Sequence, residues 1–156
     1  TTRLIINSSG NVGIGTTTPG FLLDVAGQAH ATGFPTSSDR RFKRNIHKID
    51  HALEKVLRLN GVYFQWNDLH RNVLKRSNTD AVQVGLVAQD VEDVVPEVIS
   101  KWRGNGVKDY LAVDYSRLVA LIIEAMKEQE AKINTLEEKI RLIERKLTAK
   151  TTVAAS

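Results

Sequence analysis

Residues 119–147, VALIIEAMKEQEAKINTLEEKIRLIERKL, place apolar side chains at alternating intervals of three and four residues through four heptads. Such spacing, flanked by Glu and Lys, is typical of a coiled coil. The a and d positions of the predicted seam are Val119, Ile122, Met126, Gln129, Ile133, Leu136, Ile140, Ile143 and Leu147. Because β-branched side chains fit the d layer of a parallel dimer poorly, isoleucine at both positions favours three or more strands. We therefore expect a long helix that forms a trimeric coiled coil, with Gln129 as its single polar layer.

The preceding residues, 38–113, mix helix and strand signals and predict a small compact core. The first predicted elements are a helix from the N-cap Asp50 to Asn60-Gly61, a strand at 62–66 and a polar loop at 67–80. They are followed by a strand at 82–87 and a helix at 89–94, which Pro96 ends. A turn at 102–106 and a strand near 111–113 complete the predicted core. The predicted fold class is therefore α+β, with residues 114–150 as the coiled-coil helix and 151–156 as a tail.

Residues 1–37 alternate short apolar runs with turn signals such as Ser9-Gly10-Asn11 and Pro19-Gly20. This pattern predicts short strands joined by tight turns. Strands this few and this short cannot close a sheet within one chain, so we expect other chains to supply the missing pairing. A disordered tether is the alternative. The first residues show no signal-peptide pattern, and we expect a longer chain upstream.

The composition narrows the possible classes of function. The 156 residues include no cysteine, which excludes disulfides and thiolate metal sites, and the four histidines lack metal-ligand spacing. We expect no metal and no cofactor. No apolar run approaches the ~20 residues of a membrane-spanning helix, so we expect no membrane partner.

Positive charge is concentrated in one stretch. The net charge of +4 is modest, but residues 40–58 hold seven Lys and Arg against Asp50 and Glu54. A DNA-binding basic region normally runs as one helix into its zipper, whereas about sixty residues separate this cluster from the heptads. A trimeric regulator that binds nucleic acid is one alternative. A solvated face or an anion site is the simpler interpretation, and we expect no nucleic-acid partner.

Four blocks of sequence resemble one family. Residues 38–46, SDRRFKRNI, resemble the S-D-x-R-x-K-x-N-I signature that opens the intramolecular chaperone domain of endosialidase-type phage tail spikes, tail fibres and neck appendages. The second block is GVYFQW at 61–66, the third is GLVAQDV at 85–91 together with PEV at 96–98, and the fourth is VDYSRL at 113–118. The segments GNVGIGT at 10–16 and LDVAG at 23–27 are similar to the stalk repeats that precede this domain in tail fibres.

The resemblance implies a homotrimer that folds the upstream β-stalk of its own polypeptide and then cuts itself off before the signature serine. It assigns the scissile bond to Ser37–Ser38, the nucleophile to the Ser38 hydroxyl and the base to Lys43, with Asp39, Arg41 and Asn45 as supporting residues. The domain would be an autocatalytic serine endopeptidase, a hydrolase with a single turnover. Assembly would take place in the host bacterial cytoplasm, leaving the upstream part in the virion tail and the chaperone released.

A serine–lysine dyad imposes two conditions on this segment. A lysine amine accepts a proton only where burial or positive charge favours its neutral form, and the arginines of the segment supply such charge while Asp39 opposes it. Arg41 and nearby backbone amides are candidate oxyanion donors. Five residues along a helix or strand leave two side chains on different sides, so the chain must turn between Ser38 and Lys43, or a neighbouring protomer must supply the lysine. We expect cleavage to depend on assembly.

Two further alternatives stay open. A structural trimerisation and attachment domain that never cuts itself needs only the coiled coil and the stalk turns, and an unreactive Ser38 would suit it. For the C-terminal segment, a solitary amphipathic helix packed on the core is the alternative to a coiled coil.

Overall fold

The computed structural model describes residues 4–74, 80–104 and 108–154. Its elements in chain order are β1 (Leu4–Ile6), β2 (Val12–Ile14), β3 (Leu23–Val25), α1 (Ala52–Arg58), β4 (Val62–Phe64), α2 (Asp68–Leu74), β5 (Gln83–Gly85), α3 (Ala88–Glu92), β6 (Ile99–Gly104), β7 (Lys108–Val113) and α4 (Tyr115–Ala154). Single turns of 3-10 helix lie at Arg40–Phe42 and Pro96–Val98. The predicted α+β class, with short N-terminal strands and a long C-terminal helix, is confirmed. The chain divides into two units, one of Thr1–His47 and Leu59–Asp114 and one of Lys48–Arg58 and Tyr115–Ser156.

The three N-terminal strands pair with one another as a small open sheet. β2 lies in the middle, antiparallel to β1 and parallel to β3. The side chain of Asn7 shapes the β1–β2 turn, because its Oδ1 accepts from the amides of Ser9 (3.0 Å) and Asn11 (2.9 Å). Gly10 adopts φ 82° in this turn, a conformation that other residues disfavour. The predicted strands are confirmed, and pairing with other chains stays a prediction.

Gly13 in β2 permits a close approach of the chain to itself. A Cβ built on Gly13 would lie 2.5 Å from the Thr16 carbonyl oxygen and 2.9 Å from Ile5 Cγ2. Thr16 is buried, so this contact belongs to the interior of the sheet and its following loop. The outer apolar side chains of the same sheet are uncovered, with Leu4 and Leu23 each 59% exposed.

The core of the first unit lies around α3 and the β6–β7 hairpin. Its buried apolar side chains are Val91, Val95 and Val98. The hairpin pairs antiparallel along its length, and the Val98 carbonyl accepts from the Asp114 amide at 2.8 Å. A second antiparallel pair joins β4 to β5.

The structure differs from the sequence-based expectation in the stretch expected to be a polar loop, 67–80. This stretch contains α2, which starts where the Asn67 side chain accepts from the His70 amide at 3.1 Å. An Asn N-cap of this kind opens a helix even where the following residues are polar. Trp66, expected in a strand, instead follows β4 and stacks on the His70 ring with centroids 3.9 Å apart. Residues 105 and 106 of the turn expected at 102–106 lie outside the described residues.

The second unit is a helix pair, in which the short α1 packs against α4. Its buried side chains are Ala52, Leu118, Leu121 and Ala125. The α4 residues among them recur at intervals of three and four, which places them on one face of that helix. This face gives α4 a partner within its own chain.

The start of α1 is held by a carboxylate that lies far away in the sequence. Glu128 of α4 accepts hydrogen bonds from the amides of Ala52 (3.1 Å) and Leu53 (2.9 Å). These bonds, with that from Leu53 the larger cause, lower the pKa of Glu128. The predicted N-cap, Asp50, does not open the helix: the first intrahelical bond runs from the Lys55 amide to the His51 carbonyl (3.0 Å). Tertiary capping by Glu128 therefore replaces the expected local cap.

A second face of α4 carries the predicted seam. Its eight apolar residues are all exposed, from 43% at Ile133 to 64% at Met126, and the polar Gln129 is exposed as well. The helix is 40 residues long, which corresponds to ~60 Å. Among the described residues, no helix is both long and apolar enough to cross a membrane. The seam thus leaves a long apolar stripe uncovered in the single chain.

Candidate active site

Ser38 and Lys43 meet within one chain. The Lys43 Nζ donates to Ser38 Oγ at 2.7 Å. The 3-10 turn Arg40–Phe42 brings them together, through hydrogen bonds from the Phe42 amide to the Asp39 carbonyl and from the Lys43 amide to the Arg40 carbonyl, both 3.1 Å. The chain therefore turns between Ser38 and Lys43, so that no neighbouring protomer is needed for their contact.

Asp39 begins this turn and pairs with Arg41. Its Oδ1 accepts from the Arg41 backbone amide at 2.8 Å, which is an N-cap bond. The guanidinium of Arg41 also donates to both carboxylate oxygens, from Nε to Oδ1 at 3.1 Å and from Nη2 to Oδ2 at 2.8 Å. The side-chain bond, followed by the backbone bond, lowers the pKa of Asp39, and the same pairing raises the pKa of Arg41.

This pairing bears on the role expected for Arg41 as an oxyanion donor. Two of its guanidinium donor groups are directed at Asp39 rather than toward Ser38. The backbone amide of Arg41 is also engaged, by the cap bond. In this conformation the backbone amide and the guanidinium of Arg41 both bind Asp39.

Asn45 bends the chain after the dyad. It adopts φ 53°, in the left-handed region that Asn tolerates better than most residues. Its carbonyl oxygen lies 2.8 Å from His47 Nδ1. Asn45 therefore shapes the path of the chain between Lys43 and the beginning of the second unit.

The whole site is exposed in the single chain. Ser37, Ser38 and Lys43 all lie in an exposed stretch, and the apolar neighbours Phe42 and Ile46 are 77% and 55% exposed. A lysine amine works as a base where water is excluded or positive charge is close. Ser38 and Lys43 are thus in contact, while the cover that a lysine base needs is not supplied by the described part of the chain.

Several cations of the basic stretch already have acidic partners. Arg41 pairs with Asp39, Lys55 lies 3.7 Å from Asp50, and Lys48 lies 3.4 Å from Glu124. These pairs reduce the positive field that the stretch presents to an external anion. Among the described residues, no cluster of three or more His, Asp or Glu side chains could hold a metal ion.

Comparison with known proteins adds a family to this geometry. Residues 38–100 match the family model described as chaperone of endosialidase, and the match begins at Ser38. This part of the chain belongs to the chaperone of endosialidase family. The matched region thus begins with the segment that brings Ser38 and Lys43 into contact.

Similar curated proteins are long tail fiber proteins named Gp37. The chain is 35% identical to that of Enterobacteria phage M1 over 114 residues, which cover 71% of this chain and 43% of the relative. It is 37% identical to that of phage Ox2 over 103 residues (64% and 38%), and 32% identical to that of phage K3 over 103 residues (66% and 8%). The matched region therefore spans less than half the length of these relatives.

One pair of residues in the second unit escaped the sequence analysis. Glu124 and Glu128 look like ordinary exposed positions of a charged helix, yet both contact the segment that leads into α1. The bonds from Lys127 and then Lys48 lower the pKa of Glu124. Because partners lie about 75 residues apart, as for Leu53 and Glu128, no local pattern signals them.

Proposed function

We propose that residues 38–150 form an intramolecular chaperone that trimerises a phage tail fibre and then releases itself by cutting the Ser37–Ser38 bond. The observation that carries this proposal is the 2.7 Å contact between Lys43 Nζ and Ser38 Oγ at the first residue of the family match. The tail fibre setting is supported by the relatives, which bear the name long tail fiber protein.

The proposed cleavage is an acyl shift followed by hydrolysis. The neutral Lys43 amine removes the proton of Ser38 Oγ, which attacks the carbonyl carbon of Ser37. The C–N bond breaks and Lys43 returns the proton to the leaving nitrogen. The result is an ester between the Ser37 carbonyl and Ser38 Oγ, with a free Ser38 amine. Water then hydrolyses the ester, leaving a carboxylate at Ser37 and the original hydroxyl at Ser38.

Trimerisation is supported by the uncovered face of α4. One face of this helix already packs on α1, so the seam residues need a partner of another kind. A long apolar stripe on a charged helix is typical of a coiled-coil interface, and isoleucine at a and d favours three or more strands over two. Three identical α4 helices would bury the stripe and bring the three stalk ends together.

Such a device suits a β-structured fibre. Pairing strands from three chains is slow because the contacts are non-local, and misregistered chains aggregate. A coiled coil at the end of the chains raises the effective concentration of the stalk strands and aligns them. Removing the coiled coil after assembly would leave the fibre kinetically locked, because its easy route of dissociation is gone.

Exposure of the dyad supports control of the cut by assembly. In the single chain the site is open to water, and Phe42 beside it is 77% exposed. Cover from a neighbouring protomer would exclude water and favour the neutral amine of Lys43. Cleavage would then follow assembly in the host cytoplasm, with the fibre retained in the virion tail and the chaperone released.

Intact mass spectrometry of freshly assembled protein tests this function. The wild type is expected to split into two fragments that meet between Ser37 and Ser38, whereas Ser38→Ala and Lys43→Ala stay whole. Ser37→Ala is the matched control, since it removes the neighbouring hydroxyl but keeps the carbonyl that is attacked. Cleavage that persists in Ser38→Ala would rule out the proposed nucleophile.

A structural trimerisation domain that never cuts itself is the second candidate. The observation that favours it is the exposure of both Ser38 and Lys43 in the single chain. Under this alternative all variants, the wild type included, would keep their full mass even as trimers.

A further inference from the structure

The segment 38–46 contains one acidic side chain, and that side chain is fully engaged. Asp39 lies next to Ser38 in the sequence and four residues before Lys43. Both of its carboxylate oxygens accept from the Arg41 guanidinium, at 3.1 and 2.8 Å. The other charged residues of the segment, Arg40 and Arg44, are cationic like Arg41. Asp39 is therefore the only charge of the segment that could favour the ammonium form of Lys43.

A carboxylate close to a lysine keeps a proton on the amine. In water, an attraction across about 4 Å changes the ratio of protonated to neutral amine ~5-fold. If Asp39 were unpaired, the flexible Lys43 side chain could turn from Ser38 to the carboxylate four residues before it. Both effects would disable Lys43 as a base.

We propose that Arg41 is a positioning residue that holds the Asp39 carboxylate away from Lys43, so that the amine stays on Ser38 Oγ and can lose its proton. This inference rests on the proposed cleavage. It gives Asp39 a structural task, the cap of the turn, and gives Arg41 the task of neutralising the charge that this cap introduces.

The geometry separates these two tasks. The cap bond runs from the backbone amide of Arg41 to Asp39 Oδ1, and it does not involve the guanidinium. Arg41→Ala therefore keeps the cap and frees the carboxylate. Asp39→Asn keeps a capping oxygen and removes the charge. The pair is also exposed, with the Arg41 side chain at 84%, and an exposed ion pair adds little to folding stability. A role in stability alone would not account for it.

The test measures the rate of Ser37–Ser38 cleavage against pH in assembled wild type, Arg41→Ala and Asp39→Asn/Arg41→Ala. In Arg41→Ala the pH midpoint is expected to move upward, so that the rate below the midpoint falls ~5-fold. The double variant is expected to regain the wild-type midpoint, because no carboxylate is left to release. Arg40→Ala is the matched control, since it removes one positive charge from the same turn without freeing Asp39.

Two kinds of result would overturn the proposed role of Arg41. If Arg41→Ala shifts the midpoint no more than Arg40→Ala, or if Asp39→Asn fails to restore it, Asp39 is not the charge that matters. If Arg41→Ala instead lowers the rate at every pH and the double variant stays slow, Arg41 acts directly as an oxyanion donor.

A second readout keeps the inference separate from the proposed function. In a Ser38→Ala background, which stays whole in every case, NMR titration follows the side-chain signals of Lys43 directly. Arg41→Ala is expected to raise the titration midpoint more than Arg40→Ala does, and Asp39→Asn/Arg41→Ala to reverse the rise. If wild type never cleaves, the proposed function fails while this titration still decides the role of Arg41. Equal midpoints in all variants would reject it.

Discussion

Leu121 and Ile122 are neighbours in α4 and have opposite surroundings. Leu121 is buried at 3% exposure in the helix pair with α1, whereas Ile122 is 47% exposed on the seam. The first face is completed within the chain, down to the tertiary cap that Glu128 places on α1. The seam face consists mainly of apolar side chains, which are exposed in the single chain. The inner face thus holds its own chain together, and the exposure of the other face supports our proposal that it joins other chains.

The largest effect is expected when charged residues replace apolar residues of the seam. Ile133→Asp/Ile140→Asp is expected to abolish the trimer, because an unpaired charge in a coiled-coil layer costs at least ~3 kcal/mol. Sedimentation should then report the mass of a single chain. Ala131→Asp adds the same charge at an outward position and should leave the trimer intact. A trimer that persists in the double variant would show that chains associate elsewhere.

Separate substitutions of Leu121 and Ile122 test whether the two faces of α4 have different roles. Leu121→Ala is expected to lower the free energy of unfolding by about 2–5 kcal/mol by opening a cavity between α1 and α4. Ile122→Ala is expected to weaken trimer association instead. Sedimentation over a concentration series separates them, since Ile122→Ala should raise the concentration at which trimers dissociate and Leu121→Ala should leave it near the wild-type value. Identical behaviour of the two variants would mean that the faces are not distinct.

A smaller effect is expected from the polar cap on the inner face. The pKa of Glu128 is lowered by the bonds from Leu53 and Ala52, so its ionised form favours the folded state. That contribution is complete above the ordinary pKa of a glutamate, about 4.3, and is lost as pH falls through the lower folded value. Glu128→Gln should therefore be less stable than wild type at pH 7 and should lose less stability on acidification.

Urea unfolding at pH 7 and pH 3 measures this difference. Glu138→Gln serves as the matched control, because Glu138 is an exposed glutamate on the same helix. An equal loss of stability on acidification in wild type and Glu128→Gln would show that the cap contributes nothing to pH dependence.

The elements that could be predicted are those whose signal repeats. The heptad repeat predicted α4, and the short apolar runs between turns predicted β1 to β3, because each pattern recurs along the sequence. α2 was missed because its composition is polar and its start rests on one side chain, Asn67. The partner of α1 was missed for a different reason, since Glu128 lies 75 residues from Leu53 and acts through tertiary contact.

The candidate site shows the same limit on a smaller scale. Resemblance to a family pointed to Ser38 and Lys43, but periodicity could say only that either a turn or a lysine from a neighbouring protomer was needed. The turn depends on a hydrogen bond from the backbone amide of Arg41 to the side chain of Asp39, and no periodic pattern predicts that bond. The pairing of Arg41 with Asp39 likewise required geometry, because three arginines of the segment compete for that carboxylate in the sequence.

The central claim is that assembly through the outer face of α4 switches on the cut at Ser38. The most direct measurement is a time course of intact mass for wild type, Ser38→Ala and the seam variant Ile133→Asp/Ile140→Asp under one condition. The account predicts that wild-type trimers split between Ser37 and Ser38, while the other two proteins stay whole. A monomeric seam variant that cleaves at the wild-type rate, or wild-type trimers that never cleave, would contradict it.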